Sequence, residues 1–261
     1  MSECNPDVQS EDVRAILRDN LFENPDVGDL NAAMETDVWV VSIPKCSTTS
    51  IQYGLQRLGH RVIHAHTNPS THEAFANGHV LADAGIGIED ILKARLETSS
   101  RRLHFFFGYR EPVAWWVSLA GQFALDYEAI AANHPHEMSG QTHPWNKYSI
   151  EDMELIARKA FGVDLRAEPF DHERGLRVIE QDGFTIVLYR ADRMEAVEGY
   201  IQAEIAPRFE MSRDRVNLDP RYLAFKDGFT PSADVVARLY EDPWFRYFFT
   251  AVERQARLAA L

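Results

Sequence analysis

Cysteine is nearly absent from the sequence. Cys4 and Cys46 are the only two in 261 residues. Two cysteines form no disulfide framework, so a reducing, cytoplasmic setting is expected. Basic charge is also scarce. Lys and Arg number 27 against 40 Asp and Glu, a net charge of −13. That balance argues against general binding to nucleic acid or other polyanions. An anion site must then be a local basic pocket on an acidic body. Long apolar runs are missing too. None approaches the roughly 20 residues that span a bilayer, so no membrane span is expected. The first residues are polar and acidic, unlike a signal peptide. No Gly-x-x-x-x-Gly-Lys-Ser/Thr pattern occurs, and Gly85-Ile86-Gly87 lacks the spacing of a dinucleotide fingerprint. An ATP- or GTP-hydrolysing P-loop is therefore disfavoured. Internal repeats and low-complexity segments do not occur. An apolar content of 45% supports a sizeable core, and the length suits one domain over 1–261.

What is present is a strong strand-loop-helix junction. Val38-Trp39-Val40-Val41-Ser42-Ile43 is a short apolar run, typical of a strand covered on both faces in a parallel sheet. Pro44 to Thr48 is a polar loop. Ile51, Leu55 and Leu58 then mark one face of a helix that Gly59 ends. The hydroxyl residues closing the loop are expected to cap that helix. Such a junction gathers free N–H groups and the positive helix end at one point. Lys45 adds a full charge there, and Ser47, Thr48 and Thr49 add hydroxyls. Together they read as a phosphate site. The plainer alternative is one more strand-to-helix turn with a lysine in it.

Two further strands end near the same rim if the sheet is parallel. Arg61 to Thr67 is a short second strand, and His64 and His66, two apart, share one face of it. Ligands in such sheets sit beyond the carboxyl ends of the strands, so His64, His66 and Glu73 fall in the right zone. A zinc pair is a weak alternative without a third ligand. Leu103 to Tyr109 is a stronger strand. It runs into Arg110, and Pro112 suits the first position of a helix. Arg110 is an always-charged fork suited to phosphate, or else a salt-bridge partner of Glu111. Trp115 and Trp116 on the helix read as core rather than as a binding platform.

The two motifs together resemble those of sulfotransferases that use 3′-phosphoadenosine 5′-phosphosulfate (PAPS). That family has Pro-Lys-x-Gly-Thr-Thr after a hydrophobic strand; here it is Pro44-Lys45-Cys46-Ser47-Thr48-Thr49, with Ser47 in place of Gly. Gly permits positive φ and close backbone approach, which Ser47 must manage with a side chain. The family's second motif is a strand leading to Arg-x-Pro, with Ser eight residues after the Arg. Arg110-Glu111-Pro112 and Ser118 fall at that spacing. The run from Pro169 to Gly175 is similar, more loosely, to bacterial sulfotransferase-like proteins of capsular polysaccharide synthesis. The resemblance implies an α/β fold with a central, mainly parallel sheet flanked by helices, the sulfotransferase variant of the P-loop-containing nucleotide hydrolase-like fold. It implies that Lys45, Cys46, Ser47, Thr48, Thr49 and Ser50 hold the 5′-phosphate, and Arg110 and Ser118 the 3′-phosphate. Lys45 would also stabilise charge developing on the bridging oxygen. The cofactor would be PAPS, with 3′,5′-ADP as product and no metal.

A base must take the acceptor's proton. Histidine, with a usual pKa near 6.5, suits the task, and His66 is the first choice because it lies nearer the loop. Glu73 and His64 stay open. The acceptor is expected to be a hydroxyl of a small molecule or saccharide. The irregular stretch over 130–150 is either a surface loop or an acceptor wall, in which Trp145 and Tyr148 would stack on a ring. The alternatives are an ATP-dependent kinase, which would need a metal-binding acid at a strand end, and a non-catalytic nucleotide-binding protein.

The remaining segments are read from period and punctuation. Residues 1–36 form a helical preface with Val13, Ile16, Leu17 and Leu21 on one face. Helices are expected around Ile88 to Leu96, over about 150–161, and over about 192–205. Gln181-Asp182-Gly183 separates two β-rich runs and predicts a hairpin that adds an antiparallel edge. Tyr189-Arg190-Ala191-Asp192 resembles the family's aromatic-basic-acidic junction before a helix. Residues 207–230 read as a loop whose Arg208, Arg213, Arg215, Arg221 and Lys226 are solvated charge; the alternative, which the resemblance implies, is a late basic loop touching the 3′-phosphate, of which Lys226-Asp227-Gly228 is a faint echo without the Arg-Lys-Gly pattern. Two helices, from Ser232 and from Pro243, close the chain.

Overall fold

The first apolar run forms strand β1, Val38–Ser42, buried at every position. Its alternation divides it between two cores. Trp39 and Val41 join one apolar cluster and Val38 and Val40 the other, as period-2 geometry requires of a strand covered on both faces. The computed structural model describes residues 35–66, 87–122, 150–212 and 218–259. Most of the N-terminal preface, Glu73, Trp145 and Tyr148 lie outside them.

In chain order the elements after β1 are α1 (Thr48–Arg57), β2 (Val62–His66), α2 (Ile88–Thr98), β3 (Leu103–Tyr109), α3 (Pro112–Gln122) and α4 (Ile150–Phe161). Then come β4 (Leu176–Gln181), β5 (Phe184–Arg190), α5 (Met194–Glu204), α6 (Pro220–Gly228), α7 (Ala233–Tyr240), α8 (Pro243–Phe248) and α9 (Ala251–Ala259). The protein is α/β, as expected. Its five-stranded sheet has the order β2-β1-β3-β5-β4. All neighbours are parallel except the β4–β5 hairpin. Gly183, at φ +82, makes that hairpin's turn.

Helices cover both faces. On one side α2, α4, α7 and α8 pack on Trp39, Phe105, Phe107, Ile186 and Leu188. On the other, α1 and α5 pack on Val40, Phe106 and Val187. Phe105, Phe106 and Phe107 are each 0% exposed, and burial of a side chain that size stabilises by about 1.5–3 kcal/mol.

Three expectations change. Leu58 lies just past α1 and is 40% exposed rather than on the buried face. The segment 220–228 is a helix, not a loop. Asp219 caps it by accepting from the Arg221 amide, and Pro220 fills its first position, a start signal present in the sequence. The final helix is interrupted after Phe248. Thr250 and Glu253 form a reciprocal capping box that starts α9 afresh.

Candidate functional site

The chain leaves β1, crosses to β2 on one side, and returns to β3 on the other. The strand order therefore reverses between β1 and β3, and the crevice beyond their carboxyl ends is where open α/β sheets take ligands. The Lys45 loop leaves β1 at this crevice, and Arg110 follows β3 into it. Lys45, Ser47, Thr48, Thr49, Ser50, Arg110 and Ser118 line one cavity of about 500 Å³. Among the described residues its wall has no Asp or Glu.

The loop departs from the capping expected of it. Ser47 is the N-cap residue of α1, yet it sits in the left-handed region at φ 62, ψ 19 and its side chain makes no cap bond. Lys45 also has a positive φ, +66. Holding a residue with a side chain there costs on the order of 1–3 kcal/mol. Side chains from elsewhere hold the loop in this shape. Trp115 Nε1 donates to the Pro44 carbonyl at 2.8 Å, Arg110 Nη1 to Lys45 at 2.9 Å, and the Tyr189 hydroxyl to Cys46 at 2.8 Å. Gly108 lies opposite Tyr189 in the β3–β5 register. A Cβ on Gly108 would sit 2.5 Å from the Tyr189 ring and 2.8 Å from Cys46 Cβ, so its hydrogen leaves the ring its path to the loop.

Cys46 itself is fully buried in the core and is not among the cavity's lining. Burial pushes its thiol up to about 12, against the opposing pull of the Ser42 hydrogen bond and Arg110. It stays a thiol at neutral pH and is no nucleophile.

Glu111 does not pair with Arg110. Its carboxylate accepts from the amides of Val113 and Ala114 and from the Tyr240 hydroxyl at 2.8 Å. It caps the helix that carries Ser118, while Arg110 donates to the Lys45 carbonyl and lines the cavity.

Both histidines line the cavity, with ring centroids 5.2 Å apart in an edge-on arrangement. His64 Nε2 lies 2.8 Å from Thr48 Oγ1, so His64 orients a loop hydroxyl. No group of three or more His, Cys, Asp or Glu is placed to hold a metal ion among the described residues.

Helix α6 brings residues that the sequence reading left out. Tyr222, Leu223 and Lys226 line the cavity, together with Gln52 and Tyr53 of α1 and Gly121 of α3. Tyr222 and Phe225 pack on Val117, and Trp116 stacks on Phe229 at 4.9 Å. A Cβ on Gly121 would lie 2.2 Å from the Tyr222 ring. Lys226, expected first as solvated charge because Lys226-Asp227-Gly228 lacks the Arg-Lys-Gly pattern, is on the cavity wall, and the helix start before it is what the sequence reading missed. The Asp219-Pro220 pair was the available signal. Arg221, by contrast, is an exposed partner of its own Asp219.

Arg190, in the aromatic-basic-acidic junction, is structural. It is 1% exposed and bonds Asp192, Glu253 and the Phe248 carbonyl above the Phe249 ring. Comparisons with protein-family models, with curated proteins and with solved structures give no match. No helix among the described residues is long and apolar enough to cross a membrane.

Proposed function

We propose that this chain is a PAPS-dependent sulfotransferase acting on a hydroxyl of a small-molecule or carbohydrate acceptor. One observation carries the reading: Lys45 and Arg110, from separate motifs on separate strands, face one cavity whose described wall is free of carboxylates. Its volume, about 500 Å³, lies within the range that holds small ligands and cofactors. Lys45 and the groups of Ser47 to Ser50 bind the 5′-phosphate. Arg110 and Ser118, with Lys226 beside them, bind the 3′-phosphate, which 5′-AMP and ATP lack. PAPS supplies an activated sulfuryl group and departs as 3′,5′-ADP. His66 accepts the proton of the acceptor hydroxyl, while His64 holds Thr48 in place. Lys45 provides fixed positive charge where negative charge gathers, a preorganised form of stabilisation.

Calorimetry with purified protein tests the reading. 3′,5′-ADP is expected to bind more tightly than 5′-AMP, and equal affinities overturn the proposal. His66→Ala then separates enzyme from binding module, because an enzyme loses turnover with PAPS while keeping its affinity for 3′,5′-ADP.

A further inference from the structure

We propose that Trp115 and Tyr189 are positioning residues that hold the anion loop in shape without the glycine such a loop ordinarily uses. The inference rests on the reading of the Lys45 loop as an anion grip. Three successive carbonyls, of Pro44, Lys45 and Cys46, each accept one side-chain hydrogen bond. The donors sit on α3, at the end of β3 and on β5. The loop is thus fastened to its neighbours rather than to its own strand. In a planar trans peptide the carbonyl and the following N–H point opposite ways. Drawing the three carbonyls towards these donors therefore turns the amides of Lys45, Cys46 and Ser47 away from them. Cys46 is 0% exposed and outside the cavity lining, so the amides left to meet an anion are those of Lys45 and Ser47, on either side of it.

Glycine makes such a backbone easy because positive φ is open to it. This chain has Lys45 at φ +66 and Ser47 at φ +62 instead. The clamp supplies from outside what glycine would supply locally. Tyr189 is central to it, since its ring crosses Gly108 to reach the Cys46 carbonyl.

The test is a double-mutant cycle between Tyr189→Phe and Ser47→Gly in the full chain. Amide exchange over residues 43–50 is followed in the free protein, and 3′,5′-ADP affinity is measured in parallel. Tyr189→Phe alone is expected to speed loop exchange and weaken 3′,5′-ADP each by about tenfold, the ratio set by one net hydrogen bond. Exchange in β3 stays at its wild-type rate. In the Ser47→Gly background the same substitution is expected to change either quantity by less than about twofold. Trp115→Phe, which removes the indole donor, serves as the second probe should Tyr189→Phe not fold. An unchanged loop exchange rate in Tyr189→Phe, or an effect undiminished by Ser47→Gly, overturns the clamp. If exchange follows the expected pattern while wild type fails to bind 3′,5′-ADP, the clamp stands and the nucleotide reading falls.

Discussion

Arg110 Nη1 donates to the backbone carbonyl of Lys45 at 2.9 Å. The two cationic residues of the site are therefore joined through a peptide oxygen while both line one cavity. Two cationic residues on a wall without described carboxylates favour a ligand of opposite charge.

A first prediction follows from that charge. At a hundredfold excess over its dissociation constant, 3′,5′-ADP should stabilise the protein by about 2.7 kcal/mol. For a chain of this size that is roughly 5–10 °C in Tm. Lys45→Ala should abolish most of the shift, and raised salt should shrink it, because screening weakens exposed charge. Thermal scans with and without the nucleotide measure this. A salt-independent shift contradicts the electrostatic account.

The 3′-phosphate grip can be separated from the loop. Ser118→Ala and Lys226→Ala should each weaken 3′,5′-ADP by roughly 10- to 150-fold, the range for one hydrogen bond to a charged group. Neither should alter 5′-AMP affinity. Parallel titrations of the two nucleotides decide it, and equal losses for both would show that these residues hold the 5′ end.

Gly121→Ala tests how α6 is seated. The new methyl would meet the Tyr222 ring at 2.2 Å, so α6 must shift away from α3. Overpacking of this kind costs about 1–3 kcal/mol. Because Lys226 rides on the same helix, its contribution to 3′,5′-ADP affinity should fall with it. The Gly121→Ala and Lys226→Ala effects on binding are then less than additive. Additive losses would show that Gly121→Ala acts on binding by a route other than Lys226.

Much of this arrangement was legible from the chain. β3 spans Leu103–Tyr109, as its unbroken apolar run indicated, and Gly162 at φ +66 ends α4 where it was expected. Arg110, Ser118, His64 and His66 came together because parallel strands deliver their carboxyl ends to one rim. What escaped the reading depends on contacts distant in sequence. Nothing local marks Trp115 or Tyr189 as holding a loop 71 or 143 residues away. Trp115 was read as core, and only its indole N–H reveals the second role. The helix that carries Lys226 escaped because α6 buries just Tyr222 and Phe225, too few for an apolar period to stand out.

The last prediction concerns acid stability and lies away from the cavity. Arg190 is nearly buried and is held by Asp192 at 2.8 Å and Glu253 at 2.7 Å. Burial alone would raise both carboxyls. For Asp192 the Arg190 and Arg257 guanidiniums more than offset that, leaving it below its usual 3.8. For Glu253 the Thr250 amide and Arg190 do the same, leaving it below 4.5. A carboxyl whose pKa is depressed on folding adds stability above its unfolded pKa, and this is lost as pH falls through the folded value. The contribution is therefore complete near neutrality and disappears from about pH 4.5 downward. Both carboxylates are partly exposed, at 41% and 28%, so screening moderates its size. Asp192→Asn combined with Glu253→Gln should lower stability near neutrality and flatten its decline on the acid side. Arg190→Met should cost more at neutral pH, because it leaves Asp192 with Arg257 alone and Glu253 with only its Thr250 bonds. Urea midpoints recorded from about pH 7 to about pH 3 measure the slope. If the double variant declines as steeply as wild type, other carboxylates drive the acid transition and Arg190 merely fastens α9 to the sheet.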